Sequence, residues 1–412
     1  MGKATRLVFS NRNIMAVTLT QSLYMFAIFL WQPFWSLYII ELGGSKAIIG
    51  ALSTLKVFSV ILFQLPGGVL ADRFGRKHVI VLGSIFGFLS PLMYLRATSW
   101  LMLVPGIIAS SAWAIATPAV NALIAESLPP ENRGTGFGVF TMFYYLFIVA
   151  AYPFGGFVVD LLGVARGIHL GLLFTIVAMF PIVLIRLVFI SETLKPHTAS
   201  EQDSEPGRKL SYSQLKRVPI QVWKLIAVAV LSSFAFQIFW SFVVVYCVEV
   251  LGLSKMQWSI ASIIGNLVAA AFMMPSGFLT DRFDRKRCII LSQTLVPLAS
   301  VGYTLSSGFL GVVLSRVVGG VGEGLGGNVM GSTGGPVWQA LLTDVAPTEL
   351  RGSIIGLTAT FTGFLCTPAP WVGGLLYEHV SPQSPFYVSF ALGMAGCAIF
   401  ALFVREPEER AE

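Results

Sequence analysis

One segment of this chain occurs twice, at residues 66–77 and again at 275–286. The two copies share Asp-Arg-Phe, followed one residue later by Arg-Lys, and each copy lies between two long apolar stretches. A second block, residues 122–134, recurs at 340–352 in the same order behind the first. Repeats of this kind indicate that one half-molecule was duplicated in tandem, which is a common way to build a protein inside a membrane.

The composition agrees with a membrane setting. The chain has 412 residues, of which 55% are hydrophobic and 11% charged, against about 25% charged in soluble proteins. Apolar runs long enough to cross a hydrocarbon core of about 30 Å are found at roughly 13–40, 46–70, 78–96, 99–125, 134–160, 167–190, 221–250, 255–280, 287–307, 309–343, 358–378 and 385–404. We therefore expect an all-α membrane protein with twelve transmembrane helices in two pseudo-symmetric six-helix halves.

The long polar interruption in the middle of the chain divides it. We expect an N-terminal half at 1–190, a cytoplasmic linker at 191–220 and a C-terminal half at 221–412. Most Lys and Arg residues of the connecting segments fall on the side that holds the termini, which predicts that both termini are cytoplasmic. The absence of an Asn-x-Ser/Thr sequence fits a prokaryotic plasma membrane. Basic residues spread over many loops give no support to nucleic-acid binding.

The first copy of the repeat reads G-x-x-x-D-R-x-G-R-K from Gly68 to Lys77, between the second and third predicted spans. This motif, its weaker echo between spans eight and nine, and the twelve spans resemble the major facilitator superfamily of secondary transporters. The resemblance implies a monomeric transporter that is not an enzyme and needs no cofactor or metal. No nucleotide-binding loop G-x-x-x-x-G-K-S/T occurs, so ATP is not the expected energy source.

The resemblance also implies a conformational latch on the cytoplasmic side. Asp72 would reach the amino end of span eleven while Arg76 pairs with Glu126, because a carboxylate gains from a helix N-terminus. Because the motif is repeated, Asp281 would in the same way contact the amino end of span five, and Arg285 would pair with Asp344. The alternative is that these charges only set the topology. The expected latch residues are Asp72, Arg73, Arg76, Glu126, Arg133, Asp281, Arg282, Arg285, Asp344 and Arg351.

Charged residues deep in a span are expensive and therefore candidates for function. Three such residues are expected: Lys56 in span two, and Arg316 with Glu323 in span ten, which share one helix face. One interpretation is a structural Arg316–Glu323 ion pair, with a Lys56 ammonium that extends to water or bonds a backbone carbonyl. The other is that Glu323 carries a coupling proton, while Arg316 or Lys56 senses it or binds an anionic group of a substrate.

Aromatic and amide side chains near the middle of several spans form a candidate substrate site, although each could instead be packed or face lipid. Together with Lys56 they are Tyr24, Trp31, Gln32, Trp35, Trp113, Asn121, Tyr145, Gln237, Trp240 and Asn328.

The expected function is secondary active transport by alternating access, with the site at the midplane between the halves. The expected partners are a small amphipathic or anionic organic solute, protons and membrane lipid. Glycines in spans five and eleven resemble the glycine-proline motif of proton-coupled exporters, which favours antiport and efflux. The alternatives are an uptake symporter or uniporter for organic anions and a membrane sensor that binds solute without transporting it.

Overall fold

A computed structural model describes residues 11–128, 133–194, 218–282, 285–326, 336–347 and 350–404. Of residues 133–136, 274–282, 285, 336 and 340 it describes the backbone alone. The chain divides into two compact units. Unit 1 comprises Met1–Pro196 with Ser254–Ile260, and unit 2 comprises His197–Leu253 with Ala261–Glu412.

The described part of unit 1 is helical throughout its apolar runs, because a helix satisfies every backbone polar group of a segment surrounded by lipid. Three short 3-10 turns, Gln32–Phe34, Trp100–Met102 and Trp113–Ile115, join some of the helices. The α-helices are α1 Arg12–Phe29, α2 Trp35–Glu41, α3 Lys46–Phe74, α4 Arg76–Leu95, α5 Leu103–Ala112, α6 Ala116–Glu126, α7 Arg133–Leu162 and α8 Val164–Phe189.

Unit 2 follows the same plan. Its first long helix continues past Trp240 through a short helical stretch and a π-helical turn to Val250. The α-helices are α9 Ile220–Trp240, α10 Lys255–Arg282, α11 Arg285–Leu305, α12 Phe309–Gly324, α13 Pro336–Val345, α14 Arg351–Cys366, α15 Ala369–His379 and α16 Ser384–Phe403.

Eleven helical segments of the described residues are long and apolar enough to cross a membrane. They correspond to eleven of the twelve predicted spans. In the tenth, predicted at 309–343, the structure describes α12 and α13 on either side of residues 327–335, which lie outside the described part. Gly326, the last described residue before them, has φ +81°. A glycine-rich stretch favours a break in a helix at this point.

Helix breaks in unit 1 fall where the sequence forces them or where helices approach closely. Pro33 lies in the 3-10 turn between α1 and α2, because proline lacks the N–H that a continuous helix needs. Trp113 begins the 3-10 turn between α5 and α6. There Gly67 of α3 packs directly against the carbonyl of Ile115, and a Cβ on Gly67 would lie 2.5 Å from that oxygen.

The first turns of α10 pack within unit 1 through one carboxylate of α7. Asp160 accepts hydrogen bonds from the backbone N–H groups of Lys255 at 3.0 Å and Met256 at 2.8 Å. The Lys255 ammonium lies 3.8 Å from the same side chain. An N-terminal helix turn presents free N–H groups and a partial positive charge, so the aspartate stabilises the start of α10.

Candidate functional site

The first copy of the repeated signature forms a charged group at the ends of α3, α4 and α6. Arg76 Nη1 lies 2.6 Å from Asp72 Oδ1, and Arg76 Nη2 lies 3.0 Å from Glu126 Oε1. Thr193 Oγ1 donates to the second Glu126 oxygen at 2.5 Å. The expected Arg76–Glu126 pair is therefore present, while its role as a latch stays a prediction. We call Asp72, Arg76, Glu126, Glu192 and Thr193 the signature cluster.

Glu192 is a member of this cluster that the sequence analysis missed, since it lies in the segment assigned to the linker. Its carboxylate accepts backbone N–H bonds from Arg76 at 2.9 Å, Lys77 at 3.1 Å, and Thr193 and Leu194 at 3.0 Å each. Partial burial alone would raise the pKa of Glu192, but the four backbone donors outweigh it and lower that pKa below its ordinary value. Glu192 therefore caps the N-terminus of α4 as an anion.

Gly75 is required at this cap for two reasons. It has φ +94°, a conformation that favours glycine, and a Cβ at this position would collide with the Glu192 carboxylate. The glycine of the signature therefore both turns the chain and leaves room for the carboxylate.

The remaining latch residues have other surroundings. Arg73 stacks over the ring of Phe74 at 5.5 Å, and Arg351 Nε donates to the Thr343 carbonyl at 3.1 Å. Asp344 lies on α13 and is partly buried. The side chains of Arg133, Asp281, Arg282 and Arg285 lie outside the described part, so the second-half contacts expected from the repeat stay predictions.

Unit 2 contains a buried ion pair in α12. Arg316 Nη1 lies 3.7 Å from Glu323 Oε1, and the two side chains are 3% and 8% exposed. Arg316 Nη2 donates to Asn266 Oδ1 at 2.9 Å, and its guanidinium lies 5.3 Å from the centre of the Trp240 ring. Gly265 allows α10 to pass the arginine, because a Cβ there would lie 2.8 Å from Arg316 Nε. The predicted pair is thus real, and Asn266 is an additional partner that no sequence motif indicated.

Unit 1 contains a buried cation that the sequence analysis overlooked. Arg186, in the last turn of α8, is 0% exposed. Its Nε donates to Thr20 Oγ1 at 3.1 Å, Nη1 to Ser84 Oγ at 2.9 Å, and Nη2 to Gln21 Oε1 at 3.2 Å. The guanidinium also lies 4.9 Å from the centre of the Trp113 ring. The count of three deep charged residues was therefore wrong, because Arg186 near the end of an apolar run was not included in it.

Two of the predicted substrate residues belong to this group. Tyr24 and Trp113 stack with ring centroids 4.0 Å apart and planes 13° apart, and Tyr24 is 6% exposed. We call Arg186, Thr20, Gln21, Ser84, Tyr24 and Trp113 the Arg186 cluster. Lys56 lies elsewhere on α3, where its carbonyl accepts from Ser111 Oγ at 3.4 Å. Among the described residues, no hydrogen bond or ion pair joins the Lys56 ammonium to a side chain.

The other predicted substrate residues of unit 1 lie in different surroundings. Trp31 is buried and donates from Nε1 to Thr175 Oγ1 at 3.1 Å, and its ring packs on Trp35 at 5.4 Å. Tyr145 is 44% exposed. Gln32 is half-buried in its 3-10 turn, and Asn121 is exposed on α6. The structure therefore does not join these residues to the Arg186 cluster.

In unit 2, Trp240 contacts the ion pair, and Phe236 stacks on Trp240 at 4.9 Å. Gln237 is half-buried on the same helix, and Asn328 lies outside the described residues. A cavity of about 10 Å³ lies between α9, α11 and α16 and is lined by Ser232, Phe236 and Gln293. It is large enough for a single water molecule and too small for an organic solute.

Several known proteins are similar to this chain. A sequence profile of the Major Facilitator Superfamily matches residues 17–363 and 259–412. An uncharacterised MFS-type transporter of Methanocaldococcus jannaschii is 24% identical over 90% of both chains. The quinolone resistance protein NorA of Staphylococcus aureus is 21% identical over 98% of both. A crystal structure of the nucleoside transporter NupG superposes with a TM-score of 0.78 at 17% identity, over 94% of this chain and 99% of that one.

Apolar helical spans and the match to a family of membrane transporters define a multi-pass membrane transporter rather than an enzyme. The chain belongs to the major facilitator superfamily, and it has the all-α fold of that family.

Proposed function

We propose that this protein is a proton-coupled secondary active transporter that works by alternating access and exports a small amphipathic or anionic organic solute. It acts as a monomer among lipids of a prokaryotic plasma membrane, with both termini in the cytoplasm. The proposed halves are residues 1–190 and 221–412, and the proposed latch includes the signature cluster. The observation that carries the proton coupling is the buried Arg316–Glu323 pair of α12.

Protonation of Glu323 would have a large effect on this pair. Two unit charges about 4 Å apart attract each other by about 4 kcal/mol at an effective dielectric constant of about 20. A term of that size changes a conformational equilibrium by about a thousandfold. Arg316 would keep Asn266 and Trp240 when Glu323 is neutral, so the arginine has alternative partners and the pair can open without leaving a bare cation. These partners support proton-dependent switching over a purely structural pair.

The charge balance inside the described spans supports an anionic or amphipathic solute. In unit 2 the charges of Arg316 and Glu323 cancel, whereas Lys56 and Arg186 in unit 1 are cations without an acidic partner among the described residues. An excess of positive charge within the spans favours an organic anion or a solute with an acidic group. The name of the Staphylococcus aureus relative refers to quinolone resistance, which export of the drug would produce. A quinolone is therefore a suitable test solute.

The test compares two kinds of transport in proteoliposomes. Glu323→Gln removes the titrating group, so we expect loss of accumulation driven by an imposed pH gradient, with exchange of labelled solute retained. Glu41→Gln, which alters an exposed carboxylate, is the matched control and should behave like the wild type. If Glu323 is only structural, the variant leaves Arg316 without its counter-charge, with Asn266 and Trp240 as its remaining partners, at a cost of up to about 3–5 kcal/mol. Early unfolding with loss of both activities would then contradict the proposal.

The same buried cations would suit uptake of an organic anion by a symporter or uniporter. Direction is tested in cells: an exporter lowers the intracellular quinolone level, and its deletion raises it. A membrane sensor would bind the solute and give no flux in proteoliposomes.

A further inference from the structure

Arg186 is a buried cation without an acidic partner among the described residues. Its three hydrogen-bond partners, Thr20, Gln21 and Ser84, are all neutral. A guanidinium has five N–H donors, so these three bonds leave donor capacity for a further acceptor. Among the described residues, no carboxylate forms a hydrogen bond or an ion pair with Arg186.

The acidic side chains of unit 1 that the structure describes lie in other places and do not pair with Arg186. They are Asp72, Glu126 and Glu192 in the signature cluster, Asp160 at the start of α10, and the exposed Glu41. Burying an unpaired cation in a membrane span costs at least about 2.5–3.5 kcal/mol. A residue retained at that cost without a structural counter-charge points to a negative charge that is supplied from outside the protein.

The depth of the guanidinium places it inside the span and not at its edge. Side chains on a helix point toward its N-terminus, so Arg186 reaches from the last turn of α8 back into the unit. Its partner Ser84 lies about 12 Å along α4 from Arg76, where that helix begins. The Arg186 guanidinium therefore lies within the span, away from the water at the end of α8.

The groups around Arg186 suit a flat solute with an acidic substituent. Trp113 lies beside the guanidinium, and Tyr24 stacks on one face of its ring. Gln21 and Trp113 are partly exposed, whereas Arg186 itself is fully buried. A ligand could thus approach over Trp113 and replace the neutral oxygen of Gln21 with a carboxylate. Planar donors of arginine bind a carboxylate through two parallel bonds.

We propose that Arg186 binds the carboxylate of the transported solute, with the partly exposed Trp113 ring contacting its aromatic part. This inference rests on the proposed function, since it names the subsite that an exported organic anion would occupy.

The test uses two probes that share one aromatic ring system and differ in charge and by one methyl group: a monoanionic quinolone carboxylic acid and its methyl ester. Binding of each is measured on the full-length purified protein, together with thermal unfolding. Arg186→Gln should weaken binding of the acid about 10- to 100-fold, the range for a hydrogen bond to a charged group, and change binding of the ester less than twofold. Arg186→Lys keeps the charge and loses the planar fork, so it should give an intermediate loss. Arg166→Gln, an exposed position on the same helix, is the control.

The possible results separate this inference from the proposed function. If Arg186→Gln weakens binding of the acid and of the ester equally, or weakens neither, the carboxylate assignment is wrong. If Arg186→Gln does not fold, Arg186→Lys provides the test, through the same comparison of its binding of the acid with its binding of the ester. A wild-type protein that binds and transports the ester but not the acid overturns the assignment and leaves the transporter proposal standing. A wild type that binds neither probe overturns both.

Discussion

Removal of the Glu192 carboxylate should loosen the start of α4. Glu192 accepts N–H bonds from Arg76 and Lys77, at the helix end where free donors and the helix dipole favour a negative charge. Loss of a capping side chain costs about 0.5–2 kcal/mol, and loss of a charge at this end about 0.3–1 kcal/mol. We therefore expect Glu192→Ala to cost about 1–2 kcal/mol and Glu192→Gln, which keeps an acceptor oxygen, roughly half as much.

The pH dependence of this contribution follows from the lowered pKa of Glu192. The carboxyl binds its proton more weakly in the folded protein, so its contribution is fully present above the unfolded-state pKa of about 4.3. It is lost as the pH falls through the lower folded-state value. The wild type and Glu192→Gln should therefore differ in stability at neutral pH and converge below about pH 4.

Hydrogen exchange and thermal unfolding together measure the effect. The amides of Arg76 and Lys77 should exchange faster in Glu192→Ala, and the melting temperature should fall by about 2–4 °C per kcal/mol. Thr193→Val is a useful comparison, because it removes the hydroxyl bond to Glu126 and leaves the cap intact. Unchanged exchange at Arg76 and Lys77 in Glu192→Ala would refute the capping role.

Two glycine substitutions test the close packing beside Glu192 and beside Arg316. Gly75→Ala should cost about 1–2 kcal/mol because of its positive φ, and the cost should be smaller in a Glu192→Ala background, which a double-mutant cycle of thermal unfolding measures. Gly265→Ala should cost about 1–3 kcal/mol, since the new methyl group would press on Arg316; Gly138→Ala, which has open space around it, should change the melting temperature little. Equal effects at Gly265 and Gly138 would contradict the packing argument.

The helices were predictable from the sequence because a lipid environment leaves few other ways to satisfy backbone polar groups. Runs of apolar residues therefore mapped onto helices across the described part of the chain. The Arg76–Glu126 and Arg316–Glu323 contacts were also accessible, the first through the family's motif and the second through helix periodicity. Both depend on a pattern that a single sequence displays.

The partners that come from other helices were not accessible in this way. Asn266 and Trp240 meet Arg316 from two separate helices, and no spacing along the chain records that meeting. Arg186 escaped notice because it lies near the end of its apolar run, where an arginine is ordinarily assigned to the aqueous boundary. The polar Thr20 and Ser84, each inside an apolar run, were the available signal.

The aromatic residues could not be sorted into packed and ligand-binding side chains from the sequence. Trp31 and Trp35 flank Pro33 and stay candidate substrate residues, and the structure shows that Trp31 is buried and bonded to Thr175. Large aromatic side chains fill helix interfaces far more often than they contact ligands, so composition alone cannot separate the two uses.

The contacts of Glu192 also decide where the first half of this chain can be cut. Glu192 caps α4, Ser191 donates to Asn13 of α1 and Thr193 donates to Glu126 of α6. A fragment that ends at 190, the boundary expected from the sequence, would therefore expose the start of α4. A fragment that extends through Pro196 retains the cap and ends where the first segment of unit 1 ends. For split expression, tag insertion or replacement of the linker, the segment that can be changed therefore begins after Leu194. Residues 191–194 pack on the helices of unit 1 and should be kept with them.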